Sequence, residues 1–426
     1  MHHTYQAPRR QLAQMIARIY QGGMTTTSGG NLSIRDGDTI WITPSAVDKG
    51  ALTPRDMVQV LPDGRWEGPH KPSSEYPFHQ AIYQQRPDIG AIVHAHPPGL
   101  VSFSIVRQIP DTNVIPQARH ICGRVGYAPY RLPGSAELGA SIASQFALSY
   151  DSVIMENHGT VVGGTDLSEA YQRLETLEFC ARTLIRAHQI DRPYPLSERQ
   201  IDDYEAHMPQ MDTFEHLRPD TLEKEQRHEI CHIIHRAIRQ RLMISTYGTV
   251  SLRLRGSDFL ITPYGTDRAM LQPQDLVLVR DRQQEHGKHA SRATLLHADI
   301  YEAHPEIHCI ISTQSPHATA FAVAGRSIDT RTIPESYILL KDIPVLPFGS
   351  QYAGEGIVPR VISHETPIAL IQNEALLVSG RSLLEAFDRL EVAEFSACAL
   401  IDSMALGRMV PIDEAGIEDL RRKFLS

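Results

Sequence analysis

The sequence predicts an α/β protein made of two tandem three-layer α/β/α domains, and three observations support this prediction. First, a chain of 426 residues is long for one core and suits two domains of about 200 residues each. Second, a hydrophobic content of 42% and a charged content of 21% are ordinary for a folded globular chain. Third, segments with the apolar spacing of helices are mixed throughout with short apolar runs, bounded by glycine and proline, that are typical of strands.

The two halves of the chain repeat each other at a shift of about 218 residues, with the matching segments in the same order. The matching pairs are 29–35 with 247–253, 41–44 with 260–263, 79–83 with 297–301 and 174–179 with 390–395. We therefore predict a duplicated domain, with copies at 1–195 and 220–426. The stretch 196–219, which is rich in proline and charge, is predicted to be a linker.

Helices and strands alternate in the first half. Apolar residues recur at helical spacing near the N-terminus, at Leu12, Met15, Ile16 and Ile19. Further helices are predicted over 73–86 and 166–188, and buried strands at 91–93 and 152–155. The helix predicted over 166–188 is long and lies at the end of the first half.

Composition excludes several classes of partner and location. A formal net charge of −9 argues against a nucleic-acid partner, which would need clustered lysine and arginine. No segment approaches the ~20 apolar residues of a membrane helix, and the N-terminus lacks the pattern of a signal peptide, so we expect a cytoplasmic protein without a membrane partner. The five cysteines are isolated, which signals neither a disulfide framework nor a thiolate zinc site.

Three histidines form the strongest candidate for chemistry. His94 and His96 follow the apolar run 91–93, and side chains two apart on a strand project from one face. A third, His158, follows another apolar strand, where Gly159 is expected to permit a sharp turn that leaves the histidine exposed. Each motif alone is more often incidental in a chain with 21 histidines. Together with a carboxylate, three imidazoles are a typical zinc site.

The run Lys71-Pro72-Ser73-Ser74-Glu75 precedes the apolar face of the helix predicted over 73–86. Serines in this position ordinarily cap a helix, and an acidic residue in the first turn favours the helix dipole. Free amides and two hydroxyls at a helix N-terminus can instead hold a phosphate. A neighbouring carboxylate can then act as acid and base.

These motifs together resemble the class II aldolase/adducin family, and within it most closely the L-fuculose 1-phosphate aldolases. The resemblance covers roughly 160 residues and rests on motifs in family order and spacing. They are Ser28-Gly29-Gly30-Asn31-Leu32-Ser33, Ile42-Thr43-Pro44-Ser45, Lys71-Pro72-Ser73-Ser74-Glu75, His94-Ala95-His96 and Asn157-His158-Gly159. Each half is accordingly expected to have the class II aldolase-like fold.

The resemblance also implies roles for individual residues. A divalent metal, zinc or another such as Mn²⁺, would be held by His94, His96, His158 and Glu75. The phosphate of a small-molecule sugar phosphate would be held by Asn31, Ser45, Ser73 and Ser74. The implied reaction is the retro-aldol cleavage of a ketose 1-phosphate to dihydroxyacetone phosphate and an aldehyde, through a metal-stabilised enediolate, with Glu75 as the catalytic proton carrier. Because the family forms tetramers, a homo-oligomer is expected, with a dimer of tandem chains imitating the tetramer.

Two departures from the family pattern stand in the first half. Ala46 occupies a position where the aldolases usually have glycine, and the stretch 114–120 lacks the tyrosine that fuculose aldolases use on the departing aldehyde. Tyr127 lies in a separate stretch and is not assigned that role. The aldehyde is therefore left open.

The second half lacks the metal-binding residues. The repeat places Ser312, Gln314, Glu374 and Ala293 at the positions of His94, His96, His158 and Glu75. His297 persists at the position of His79, where a packing or hydrogen-bonding role is expected. We therefore expect 220–426 to be a catalytically silent, degenerate copy.

Two other functions compete with the aldolase. The same metal site could serve an epimerase, dehydratase or decarboxylase of a related sugar acid or sugar phosphate. Epimerases of the family usually have aspartate at the position of Glu75, which favours the aldolase. A non-enzymatic scaffold resembling adducin head domains is the third reading, and the three histidines argue against it.

Overall fold

Two mixed β-sheets organise the chain, one in each half. The computed structural model describes residues 6–216, 218–352 and 354–425. The chain divides into two compact units, the first comprising Met1–Thr112 and Gln117–Arg182 and the second comprising Asn113–Pro116 and Thr183–Ser426. The sheets have eight and nine strands, and helices accompany each of them. The predicted α/β fold with two tandem copies is confirmed.

The first sheet runs in the order β4-β3-β2-β1-β5-β8-β7-β6, and β6 and β7 are its parallel pair. Its strands are β1 (Asn31–Asp36), β2 (Thr39–Ile42), β3 (Val58–Val60), β4 (Trp66–Glu67), β5 (Ala91–Ala95), β6 (Gly126–Ala128), β7 (Ser152–Met155) and β8 (Gly159–Gly164). The helices of this half are α1 (Pro8–Gln21), α2 (Tyr76–Gln85), α3 (Pro98–Ile105), α4 (Pro116–Cys122), α5 (Ala136–Ala147) and α6 (Leu167–Ile190), the last of which continues into the second unit.

Alternating residues of the central strand β5 build a core on each face of this sheet. Val93 belongs to a buried cluster with Leu12 of α1 and Leu174 of α6. Ile92 points the other way and belongs to a cluster with Phe78 of α2 and Ile142 of α5. The period of two along the strand therefore separates two helical layers, as a three-layer domain requires.

The second sheet runs in the order β15-β16-β17-β14-β10-β11-β12-β13-β9. Its strands are β9 (Thr213–Phe214), β10 (Thr249–Arg255), β11 (Asp258–Ile261), β12 (Val277–Arg280), β13 (Gln283–Glu285), β14 (Cys309–Thr313), β15 (Val345–Leu346), β16 (Ile368–Ile371) and β17 (Ala375–Gly380). The helices are α7 (Glu198–Ala206), α8 (Thr221–Arg239), α9 (Thr294–Ala303), α10 (Ala318–Ala324), α11 (Pro334–Leu340), α12 (Ile357–Val361), α13 (Leu383–Ser403) and α14 (Glu414–Leu420).

The two sheets share their central register. In the first, β5 lies between β1 and β8, and Asn31 pairs with His94. In the second, β14 lies between β10 and β17, and Thr249 pairs with Ser312. Thr249 and Ser312 stand at the positions of Asn31 and His94. The repeat of about 218 residues in the sequence is therefore also a repeat in the pairing of the strands.

The stretch predicted as a linker, 196–219, contains regular structure. It includes α7, whose N-cap Ser197 forms a capping box with Gln200, and β9, which pairs in parallel with β13 at the edge of the second sheet. Only Ile201 and Tyr204 of α7 are buried. The serine and glutamine of this capping box are a sequence signature of a helix start, but the proline and charge of the stretch led to the prediction of a linker.

Among the described residues, none of the helices has both the length and the apolar composition to cross a bilayer.

Candidate metal centre

The three predicted histidines converge at the end of β5. His94 is the fourth residue of this strand, His96 follows it directly, and His158 lies in the turn before β8. One ring nitrogen from each of the three lies within 4.8 Å of the others, and the Nε2 atoms of His94 and His96 are 3.1 Å apart. Within the described ranges, this is the one group of three or more histidine, cysteine or acidic side chains that could hold a metal ion.

The turn that presents His158 differs from the prediction. Asn157 has the left-handed conformation, with φ 54°, so Gly159 is not the residue that allows the turn. His158 is half-buried rather than exposed. Gly159 is needed for space instead, because a Cβ there would lie 2.5 Å from Cδ2 of His96. A Cβ on Gly29 would lie 2.7 Å from Nδ1 of the same ring, so two glycines make room for His96.

The tautomer of His94 suits a metal ligand. Its Nδ1 donates a hydrogen bond to the backbone carbonyl of Thr160 at 2.9 Å. Burial lowers the pKa of His94, but the adjacent Glu75 outweighs it and raises the pKa above its usual value, so without a metal ion Nε2 also tends to carry a proton. When Nε2 loses this proton, its lone pair points into the cluster, and the hydrogen bond at Nδ1 is the usual way in which a ligating histidine is oriented. Three imidazoles arranged in this way fit a divalent cation.

Glu75 lies beside the three histidines, next to His94 and His158. Its Oε2 lies 3.2 Å from Nε2 of His94, and its Oε1 lies 3.5 Å from Nε2 of His158. Among the described residues, the buried Oε1 has no hydrogen-bond partner. A buried carboxylate oxygen directed at imidazoles is placed to approach a cation or to exchange a proton.

The charges of the cluster are strongly coupled. Burial acts to raise the pKa of Glu75, but His94 and His158 outweigh it and lower the pKa well below its usual range. Burial, followed by the charge of His94, lowers the pKa of His158 to about 4, and burial with the charges of both neighbours lowers that of His96 to about 3. Both rings are therefore neutral at pH 7, which is the form that binds metal.

The residues predicted to hold phosphate lie on segments that join beside Glu75. Ser73 donates its backbone N–H to the carbonyl of Thr43, and Ser45 donates its own to the carbonyl of Lys71. Helix α2 begins only at Tyr76, and its N-cap, Glu75, makes no side-chain capping bond. The serines therefore precede the helix, and Oγ of Ser73 accepts a hydrogen bond from the backbone N–H of Glu75 at 3.3 Å.

The members of this seat differ in exposure and in the partners of their side chains. Ser73 is buried, Ser45 half-buried and Ser74 exposed. Asn31 is buried, and its carboxamide lies between Glu75 and His79. The structure thus brings Asn31 to the metal cluster as well as to the predicted phosphate seat.

Ala46 has the backbone conformation that glycine favours. Its φ is 55°, and Gly265, at the equivalent place of the second copy, has φ 67°. A left-handed alanine costs roughly 1–2 kcal/mol in the folded state, while glycine costs about 0.4–1 kcal/mol more in the unfolded state. We therefore expect Ala46→Gly to stabilise the protein by about 0.5–1 kcal/mol, measured as a higher midpoint of urea unfolding.

The control for this substitution is Ala51→Gly, because Ala51 is an exposed alanine five residues further along the chain that does not have a positive φ. It should lower the unfolding midpoint or leave it unchanged. Equal effects of the two substitutions would show that the left-handed conformation carries no strain.

The described residues of the second copy form no counterpart of the three-histidine cluster. Ser312 stands on β14 where His94 stands on β5, and Ala293 is the N-cap of α9 as Glu75 is of α2. Gln314 donates a hydrogen bond to the carbonyl of Glu374 at 2.9 Å, so the residues at the positions of His96 and His158 contact each other. No metal-binding group is found here among the described residues.

Tyr204 of α7 occupies the surroundings of this degenerate site. The guanidinium of Arg292, at the position of Ser74, stacks over the Tyr204 ring at 4.0 Å and donates to its carbonyl oxygen. Burial raises the pKa of the Tyr204 phenol, and the charge of Glu374 raises it further. The residue at the position of Ser74 is thus covered by a side chain of α7.

Two buried residues lie beside the site without having been predicted to belong to it, although a packing or hydrogen-bonding role was expected at the position of His79. Lys49 donates from Nζ to the carbonyl of Pro44 at 2.7 Å, and burial lowers its pKa to about 8 while the charge of Glu75 opposes this. His79 bonds to Asn31 and Ser33. A signal for His79 existed, since it and Ser33 both recur in the repeat, as His297 and Ser251. Lys49 had no such signal in the motifs.

A three-layer α/β domain with a histidine cluster at the end of a central strand, duplicated within one chain, defines the class of this protein. The chain belongs to the Class II Aldolase and Adducin N-terminal domain family, whose sequence model matches residues 10–185 and again 228–401. The duplication and the resemblance stated from sequence are confirmed.

Three relatives illustrate the reactions named within this family. The L-fuculose phosphate aldolase of Methanococcus maripaludis is 36% identical over 165 residues, covering 38% of this chain and 88% of that protein. The 5-methylthioribulose-1-phosphate/5-deoxyribulose-1-phosphate aldolase of Rhodospirillum rubrum is 33% identical over 200 residues, with coverages of 46% and 88%. The 3-oxo-tetronate 4-phosphate decarboxylase of Pectobacterium atrosepticum is 34% identical over 184 residues, with coverages of 42% and 84%. Less than half of this chain therefore accounts for most of each relative.

Proposed function

We propose that the first copy is a metal-dependent lyase that cleaves a ketose 1-phosphate by a retro-aldol reaction, giving dihydroxyacetone phosphate and an aldehyde. The observation that supports this best is the placement of the Glu75 carboxylate within 3.2 Å of His94 and 3.5 Å of His158. A carboxylate in this position can exchange a proton with a substrate held at the histidine cluster. Relatives that share the family include aldolases for two kinds of ketose phosphate.

His94, His96 and His158 would hold the metal ion, with Glu75 beside it. When bound, a divalent cation such as zinc or Mn²⁺ supplies a positive charge that stabilises negative charge on substrate oxygens. The C4 hydroxyl gives up its proton and becomes the aldehyde carbonyl as the bond between C3 and C4 breaks, and the electron pair of that bond stays on C3 of the fragment that becomes dihydroxyacetone phosphate. C3 must then take up a proton. We assign the proton transfer to Glu75, whose Oε1 lies 3.5 Å from Nε2 of His158 and has no hydrogen-bond partner among the described residues.

Binding of the phosphate is assigned to the segments that meet beside Glu75. The hydroxyls of Ser45, Ser73 and Ser74 and the carboxamide of Asn31 supply neutral donors. Lys49, buried against Pro44, supplies a positive charge near them. In a chain of net charge −9, such local donors are what would retain an anionic substrate.

A second candidate function is the decarboxylation of a 3-oxo acid phosphate. It is favoured by the relative from Pectobacterium atrosepticum, which is named as a decarboxylase of this kind. This reaction also breaks a carbon–carbon bond next to a carbonyl group and leaves a carbon that needs a proton. The same Glu75 could therefore serve both reactions, and only the products separate them.

The test is a product screen on the purified full chain loaded with Zn²⁺ or Mn²⁺, with and without a chelator. The substrates are L-fuculose 1-phosphate, 5-deoxyribulose 1-phosphate, 5-methylthioribulose 1-phosphate and 3-oxo-tetronate 4-phosphate. We expect dihydroxyacetone phosphate from a ketose 1-phosphate, and the activity should disappear with chelator. Release of CO₂ from the 3-oxo acid alone would establish the second candidate, and product formation unaffected by chelator would refute both.

The proposal also covers the role of the second copy, the location of the protein and its oligomeric state. The second copy is proposed to be catalytically silent and to support the first. A cytoplasmic location and a homo-oligomer of tandem chains are expected from sequence and family resemblance alone.

A further inference from the structure

A continuous chain of buried hydrogen bonds leads to Glu75 from the interior of α2. The amide nitrogen Nδ2 of Asn31 donates to Oε2 of Glu75 at 2.7 Å. The amide oxygen Oδ1 of Asn31 lies 2.5 Å from Nε2 of His79. Because an ionised carboxylate can only accept, the nitrogen of Asn31 must face Glu75, and its oxygen must face His79.

This orientation of the Asn31 carboxamide determines which ring nitrogen of His79 carries the proton. Nε2 must carry the proton that is donated to Asn31, so Nδ1 must accept, and Oγ of Ser33 lies 2.7 Å from it. Ser33 is in turn 2.8 Å from the hydroxyl of Tyr83. The donors therefore all run in one direction, from Tyr83 through Ser33, His79 and Asn31 to Glu75.

The second copy retains the inner hydrogen bonds of this series but not the link to a carboxylate. Oγ of Ser251 lies 2.8 Å from Nδ1 of His297 and 2.8 Å from the hydroxyl of Tyr301. Nε2 of His297 meets Ser312 at 3.0 Å, because Asn31 and Glu75 have no counterpart amide or carboxylate there. The serine, histidine and tyrosine alone thus belong to the shared fold, and the link to a carboxylate is specific to the copy that has the three histidines.

We infer that His79 is a positioning residue, which, with Ser33 behind it, fixes the direction of the Asn31 carboxamide and so holds the Glu75 carboxylate in place. If the carboxamide turned over, its oxygen would face the carboxylate and repel it. The inference rests on the proposed role of Glu75. A partner at this distance from the reacting group typically affects activity or metal affinity by 10–100-fold.

The first test is the protonation state of His79, which does not depend on activity. The probe is the full chain with ¹⁵N-labelled histidine, loaded with Zn²⁺, and the measurement is a two-bond ¹H–¹⁵N correlation, in which His79→Phe identifies the signal. We expect the Nε2-protonated tautomer in the wild type and a partial shift of the proton in Ser33→Ala. A proton on Nδ1 of His79 in the wild type would overturn the inference, whatever reaction the protein catalyses.

The second test compares the two copies. His79→Phe should lower kcat per bound metal ion by about 10–100-fold. His297→Phe removes the counterpart ring in the copy without a metal site, so it should lower thermal stability and leave kcat unchanged. His79→Gln, whose amide can donate in place of Nε2–H, should recover part of the activity.

The outcomes separate a positioning role from a structural one. If His79→Phe lowers stability as His297→Phe does but keeps full kcat per bound metal, His79 is only a packing residue and the inference is wrong. Should His79→Phe fail to fold, the kcat of Ser33→Ala decides, and an undiminished value overturns the inference. A wild-type chain with the expected tautomer but without lyase activity would instead refute the proposed function.

Discussion

Glu75→Gln should reduce kcat by about 10²–10⁴-fold while the protein keeps a metal content close to that of the wild type. Glutamine preserves the size of the side chain and one oxygen that can accept from Asn31, as Oε2 of Glu75 does at 2.7 Å. An amide cannot take up and return a proton, which is the role assigned to this residue. The three imidazoles are unchanged by the substitution, and they are proposed to provide most of the ligands.

The measurements are steady-state kinetics on the best substrate of the product screen and elemental analysis of the same samples. Glu374→Gln is the control, because Glu374 is the carboxylate at the degenerate site of the second copy, at the position of His158. It should leave kcat unchanged. A Glu75→Gln protein with full metal content and more than a tenth of the wild-type kcat would show that another group carries the proton.

The central strands show how much of the site could be predicted from sequence. His94 and His96 were expected on one face of a strand, and β5 places His94 at its fourth position. His158 is distant in sequence, but β8 pairs with β5 so that Ala95 lies opposite Thr160, next to the turn that carries His158. The family motifs implied this neighbourhood, whereas periodicity alone could not, because the order of strands in a sheet is a tertiary property.

The details that orient the site could not be predicted. The hydrogen bond from His94 to the carbonyl of Thr160 depends on strand pairing. The carboxamide of Asn31 was assigned to phosphate, and its bonds to Glu75 and His79 depend on where α2 packs against β1. Side-chain direction across a tertiary contact is not encoded in the spacing of one segment.

The second copy also has features that the sequence could not predict. The loss of the metal ligands was readable at Ser312, Gln314 and Glu374, but the placement of Tyr204 was not. Tyr204 belongs to a short helix with two buried residues, and its stretch was predicted to be a linker on the basis of proline and charge. The contact of Tyr204 with Arg292 is tertiary, so the residue spacing of α7 alone could not predict it.

These differences between the copies lead to a stoichiometry that can be measured. The full chain should bind one divalent ion, Zn²⁺ or Mn²⁺, and not two, because the histidine cluster occurs once among the described residues. Elemental analysis after loading and desalting, together with titration of the metal-free protein, gives this number. Activity should fall to the background rate when a chelator removes the ion and should return when the ion is added back.

His96→Ala and Gln314→Ala are the matched pair for this prediction, since the repeat places the two residues at equivalent positions. His96→Ala removes one of three imidazole ligands, and the loss of affinity should exceed the 10–100-fold typical of an outer partner of a ligand. Gln314→Ala removes a hydrogen bond to the carbonyl of Glu374 and should change neither the metal content nor kcat. Two ions per wild-type chain would place a second metal site outside the cluster. An ion retained at full occupancy in His96→Ala would show that the three histidines do not together hold the metal ion, and would refute the proposed chemistry.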